Sequence, residues 1–341
     1  MPANEDIRPS PHRSIEPDTG QRTAAIAIFL AIALCSSSAL GFDLSNASIP
    51  KDEIRAGGPP KDGIPSIDAP LFVASADAAF LQDDDFVAGV MLEGVARAYP
   101  LRILVWHEAV NDVIGGRPIL VTYCPLTGSV VSFDRRVGDE TLEFGISGLL
   151  YQSNVLLYDR KQESLWSQLA AEAVSGPLTG TSLVQVPTEV TTWADWRSRH
   201  PDGAVLSLET GHPRNYRNPP YRSYESSPET MFPVNPEDDR LPAKTWVVGV
   251  RLGDKVRAYP LASLPAEGPY HDRIGEHPIE IVADPAKRRV VVRRLDGAAG
   301  PDSVVAYWFA WAAFHPGSGI HEPDRNRPSA PPPATARPPV D

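Results

Sequence analysis

Short runs of alternating apolar and polar residues dominate the chain, and the clearest of them occur twice. VAGVMLEGVARAYPLRIL (87–104) returns as VVGVRLGDKVRAYPLASL (247–264), and NDVIGGRPILVTYCP (111–125) returns as HDRIGEHPIEIVADP (271–285), always at an offset of 160 residues. Arg97, Tyr99, Pro100, Asp112, Gly115, Pro118 and Pro125 thereby match Arg257, Tyr259, Pro260, Asp272, Gly275, Pro278 and Pro285. Two copies are too few for a solenoid and suit a two-lobed domain. Each copy reads as a hairpin turning at Glu93-Gly94 or Gly253-Asp254 and closing on Arg-Ala-Tyr-Pro. Leu101, Leu104 and Val105 then keep helical spacing for a turn or two, before a strand at 119–123. Further strands are expected at 129–133, 141–144, 155–158, 183–186 and 204–208. One helix is well marked: Thr192 caps it, Asp195 follows three residues on, and Pro201 closes it after His200. The expected fold is mainly β (α+β), two-lobed, built on an internal duplication, with few short helices.

Proline places the joints, since its 36 residues concentrate at 50–70, 213–242 and 316–340. The expected organisation is a leader with signal peptide or N-terminal anchor (1–41), a first lobe (42–212), a Pro/Tyr-rich loop or linker carrying Tyr216, Tyr221 and Tyr224 (213–242), a second lobe (243–316) and a disordered Pro-rich tail (317–341).

Composition then narrows the partners. The formal net charge of −11 repels phosphate backbones and argues against nucleic acid. Lys287, Arg288, Arg289, Arg293 and Arg294 flank a short apolar run and read as a solvated, charge-protected strand. Arg22 before the apolar stretch 24–35, then small residues at 36–41, read as an export signal. An uncleaved anchor giving membrane attachment is the alternative, so the expected location is periplasmic, extracellular or membrane-anchored. If Cys35 leaves with the signal, Cys124 has no partner for an internal disulfide.

The two copies act as a control on the chemistry. Where the first has Trp106-His107-Glu108 the second has Ala266-Glu267-Gly268, and Tyr123-Cys124 is replaced by Ala283-Asp284. Shared residues are assigned to folding; His107, Glu108, Tyr123 and Cys124 belong to one copy alone. Pro125 ends the strand at Cys124, and turn amides from Leu126 to Gly128 are expected to favour thiolate. A small residue at a proline turn is the structural alternative. His107-Glu108 lacks the second histidine of a zinc-protease helix, and the glycine-flanked Ser147 lacks the last glycine of a nucleophile elbow. AYWFAWAAFHP (306–316) reads as a core element ending at His315. One cysteine and two histidines, Cys124, His107 and His315, suit copper or zinc if they converge.

These segments, with GFDLSNASIPKDEIRAGGPPKDGIPSIDAP (41–70), VTYCPLTGS (121–129) and FGISGLLYQSNVLLYDRKQESLWSQ (144–168), resemble the bacterial and archaeal family known as domain of unknown function 3179. The resemblance implies an exported or membrane-anchored protein and no activity. Many members carry Cys-Pro-Leu-Cys where this chain has Thr127, so a dithiol role has no second thiol here.

Three functions follow as expectations. The first is metal or thiolate binding at Cys124, His107 and His315, with Glu108 orienting His107 and Tyr123 or Asn154 lining the pocket. The second is an enzyme whose nucleophile, Cys124, is activated by His107. The third is a non-catalytic envelope-binding module that uses the tyrosine-rich loop as its contact face.

Overall fold

Strand-forming runs bounded by glycine and proline produce a β-protein, described here for residues 41–321 of a computed structural model. The expected leader and anchor, Cys35 and all but the first residues of the proline-rich tail lie outside the described residues. Strands take 41% and helices 12%, and the larger sheets form a propeller-like ring of five blades. Among the described residues no helix is long and apolar enough to cross a membrane.

Blade 1 has the order Glu189–Thr192, Phe86–Leu92, Val95–Pro100, Ala204–Leu206, Phe72–Ala74. Blade 2 runs Gln185–Val186, Ser129–Asp134, Arg117–Cys124, Ala109–Ile114. Blade 3 combines Arg55–Ala56, Phe144–Tyr151, Asn154–Asp159, Leu165–Ser167 and Glu172–Ser175. Blade 4 holds Asp302–Tyr307, Trp246–Leu252, Lys255–Pro260 and Gly319–Ile320; blade 5 holds Pro269–Ile274, His277–Asp284 and Arg289–Arg294.

The repeated sequences take the same register. Val87 pairs with Pro100 as Val247 does with Pro260, and Ile119 pairs with Asp134 as Ile279 does with Arg294. The shared polar residues explain themselves: Asp112 accepts from Tyr99 and Arg97, and Asp272 accepts from Tyr259 at 2.7 Å and Arg257 at 2.6 Å. A charge so enclosed needs such partners. The described residues from 42 onward belong to one compact unit.

Correspondence extends further than the constant offset reveals. The helix Trp193–Arg199 is capped by Thr192, which accepts from the Asp195 amide as expected, and ends at His200. The helix Trp308–Phe314 ends at His315 with nearly the same backbone. Both spell Trp-x-x-Trp-x-x-x-His-Pro. Trp196 lies on Gly89 and Trp311 on Gly249, so close that a Cβ at either glycine would fall 2.0 or 2.1 Å from the indole. Each closing histidine packs at a tilt against its second tryptophan, His200 at 4.2 Å and His315 at 4.0 Å.

The segment 213–242, expected as a loop or linker, contains the short helix Arg222–Ser226. Its tyrosines turn inward. Tyr216 and Tyr224 are buried, which removes them from any outward contact face.

Candidate functional site

The helical turn Leu101–Leu104 tightens as the amides of His107 and Glu108 both bond the Leu104 carbonyl. The chain then reverses at Glu108, whose φ is +57°. Its carbonyl accepts from the Tyr123 amide at 2.9 Å, which fixes Glu108 beside the end of the strand that carries Tyr123 and Cys124. Side chains alternate across that strand. Tyr123 packs in the core with blade 1, and Cys124 faces the core shared with blade 3.

Cys124 is 1% exposed among Ala109, Leu126, Leu157 and Tyr224. Burial, and secondly the nearby Glu108 carboxyl, push its thiol up to about 11, although Thr127 and the Val155 amide donate towards the sulfur. The amide donors expected to favour thiolate are therefore outweighed by desolvation.

Glu108 is 5% exposed, and among the described residues no hydrogen bond reaches its carboxyl. Burial alone raises its pKa to about 8. The matching residue in the second copy is Gly268, with φ +75°. The chain thus keeps a strained, desolvated, unbonded acid where glycine suffices.

His107 does not join the thiol. A carbonyl can only accept, so Nδ1 donates to Pro65 O at 2.7 Å and Nε2 accepts from the Tyr216 hydroxyl at 2.7 Å. Thr210 in turn donates to the Tyr216 oxygen at 2.5 Å. Burial lowers the imidazole to about 4, so it is neutral and serves to anchor segment 213–242. Glu108, expected to orient His107, makes no bond to it.

His315 lies elsewhere, on Trp311 and lining a small cavity with Arg251 and Gln168. Burial lowers it to about 4. Since His200 has the same job on blade 1, His315 falls among the shared, structural residues. The expected trio is not gathered: among the described residues no group of three or more His, Cys, Asp or Glu side chains is placed to hold a metal ion. Asn154 is committed to a sealed network, donating to Gln168 at 2.8 Å and Thr127 at 3.1 Å.

What does gather around Cys124 and Glu108 is aromatic. Tyr221 packs against both cores, and burial followed by the Glu108 charge raises its phenol. Tyr224 donates to Leu126 O at 2.7 Å, so the segment 213–242 covers the site. Beyond it stands Tyr307, whose amide donates to Thr127 O at 2.9 Å and whose ring is 4.3 Å from Trp246.

The basic stretch divides. Lys287 pairs with Asp284, Arg293 approaches Glu280 at 3.5 Å, Arg294 pairs with Asp296, and Arg289 stands 3.8 Å from Asp195. Arg288 departs from the expected solvated strand. Its guanidinium turns inward between Phe86 at 4.0 Å and Trp246 at 4.4 Å. The signal that could have found it is positional: Arg288 replaces Gly128 in the matched turn, and both are left-handed.

A family model described as "Protein of unknown function (DUF3179)" matches residues 61–299. No curated protein and no solved structure matches the chain.

Proposed function

Since the chain belongs to the DUF3179 family, whose description carries no activity, we propose a function from the site itself: an enzyme that uses Cys124 as nucleophile and Glu108 as its proton acceptor and donor. The observation that carries this reading is Glu108, a buried acid without a hydrogen bond at a position where the second copy has glycine. Costly local features retained without structural need point to chemistry.

With a pKa of about 8, Glu108 is mostly protonated at neutral pH yet readily ionised. That suits general acid–base work. In the reaction the Cys124 S–H bond breaks, its proton passes to a Glu108 oxygen, and sulfur bonds an electrophilic carbon of the substrate. Glu108 then returns the proton to the leaving group. In the resting protein, transfer from a thiol pushed up to about 11 to an acid raised to about 8 is uphill. The thiol is therefore quiescent until a substrate is in place. His107 acts at one remove, by holding Tyr216 and the covering segment.

Copper or zinc at Cys124, His107 and His315 receives no support from these positions. Export is retained as a proposal resting on Arg22 and the apolar run at 24–35. An internal duplication is proposed from the matched registers and the paired Trp-x-x-Trp-x-x-x-His-Pro helices. The test uses p-nitrophenyl acetate and intact-mass detection of acetyl-Cys124. Acylation should be ~100-fold or more slower in Glu108→Gln and absent in Cys124→Ser; equal rates in wild type and Glu108→Gln would remove Glu108 from the chemistry.

A further inference from the structure

Phe86 comes from blade 1, Tyr123 from blade 2, Trp246 and Tyr307 from blade 4, and Arg288 from the turn before the last strand of blade 5. The Arg288 guanidinium thus lies over rings of blades 1 and 4 and senses the phenols of Tyr123 on blade 2 and Tyr307 on blade 4. Arg288 stacks on Phe86 and Trp246, and among the described residues no hydrogen bond or ion pair reaches its side chain, Nε being enclosed without a partner. Its four basic neighbours all have carboxylate partners. Tyr123, Tyr307 and Glu225 are the groups whose charge it senses, yet no hydrogen bond joins it to any of them. Nor does Glu225 settle the balance, because burial raises its carboxyl towards the neutral form.

A stacked guanidinium leaves its planar N–H edge free, and that edge matches the two oxygens of a carboxylate. Arg288 supplies one positive charge and the groups whose charge it senses, Tyr123, Tyr307 and Glu225, supply none, so the surroundings balance a monoanion rather than a dianion such as phosphate. We propose that Arg288 is the anchor for a substrate carboxylate, so that the proposed Cys124–Glu108 enzyme acts on small monoanionic carboxylic acids whose apolar part rests against the aromatic side chains. The proposal rests on that reading for its chemistry but not for its binding site.

Binding is measured by calorimetric titration of the full mature chain with benzoate, using benzamide as the uncharged isostere. Benzoate should bind both wild type and Cys124→Ser, benzamide at least ~10-fold more weakly, because a single charge-assisted fork is lost. Arg288→Met, which keeps the stacking, should weaken benzoate at least ~10-fold, and Arg288→Lys should fall between. No benzoate binding to wild type, equal binding of benzamide, or a folded Arg288→Met that binds normally would each overturn the proposal. If benzoate needs Arg288 while Glu108→Gln leaves acylation unchanged, the carboxylate site stands and the Cys124–Glu108 reaction falls. If acylation needs Glu108 but benzoate ignores Arg288, the reverse holds.

Discussion

Glu108 and Gly268 occupy the same turn of the two matched segments, at φ +57° and +75°, and only glycine adopts that backbone without steric cost. Glu108→Gly should therefore raise the melting temperature, through about 1 kcal/mol of relieved strain and the loss of a buried acid. The gain must depend on pH. A carboxyl near 8 in the folded chain and 4.5 in its ordinary state makes the native protein lose stability as pH rises from 4.5 to 8, with the full penalty above that. Melting curves of wild type and Glu108→Gln should diverge across that window, the variant being the more stable at pH 9. Superimposable curves would show the acid to be solvated.

Cys124 should resist alkylation by iodoacetamide at pH 8, because little of a thiol near 11 is ionised and Tyr224 and Tyr221 stand over it. Tyr216→Phe removes the hydroxyl that joins segment 213–242 to His107 and Thr210. Labelling should then accelerate ~10-fold or more while the melting temperature falls by roughly 2–10 °C, since the loss of one or two buried hydrogen bonds is about 1–3 kcal/mol. Unchanged labelling would show that the segment is not the cover.

Acid should weaken the fold through its buried imidazoles. His107 and His315 are held near 4 against an ordinary 6.5, so the unfolded chain binds protons first. The stability their neutral forms confer is present above 6.5 and is lost as pH falls to 4. Denaturant midpoints for wild type should drop over that interval, and His107→Gln should flatten part of the slope. His315→Gln should do the same without altering Cys124 labelling, because His315 belongs to the tryptophan helix.

Gly89→Ala and Gly249→Ala place a methyl about 2 Å from Trp196 and Trp311. Neither indole has room to move among buried neighbours. Each substitution should cost roughly 1–3 kcal/mol or more by overpacking, whereas Gly94→Ala, with nothing near its Cβ, should cost only its positive-φ strain. Equal losses at all three would rule out contact with tryptophan as the cause.

The recurring sequence segments stand out because strand registers and the Arg–Asp–Tyr cluster demand the same residues at the same spacing in both. The second helical match is invisible at that spacing, since its offset differs from 160, so the sequence alone leaves His315 looking like a ligand although His200 has the same role on blade 1. Cys124 and Glu108 stood out in the sequence, but their pairing did not: it depends on a left-handed residue that no periodicity marks. Arg288 was hidden for the opposite reason. It sits in a run of cations whose other members are paired at the surface, and only the turn geometry aims one of them inwards.

Arg288 lies 164 residues beyond Cys124, with segment 213–242 between them. A gene product cut short anywhere in that interval keeps the sulfur and forfeits the guanidinium; a fragment beginning after it does the opposite. Neither piece carries both residues of the proposed centre, so a selection that needs both must preserve the interval between them, and co-produced halves could reunite them only by closing the ring around each other.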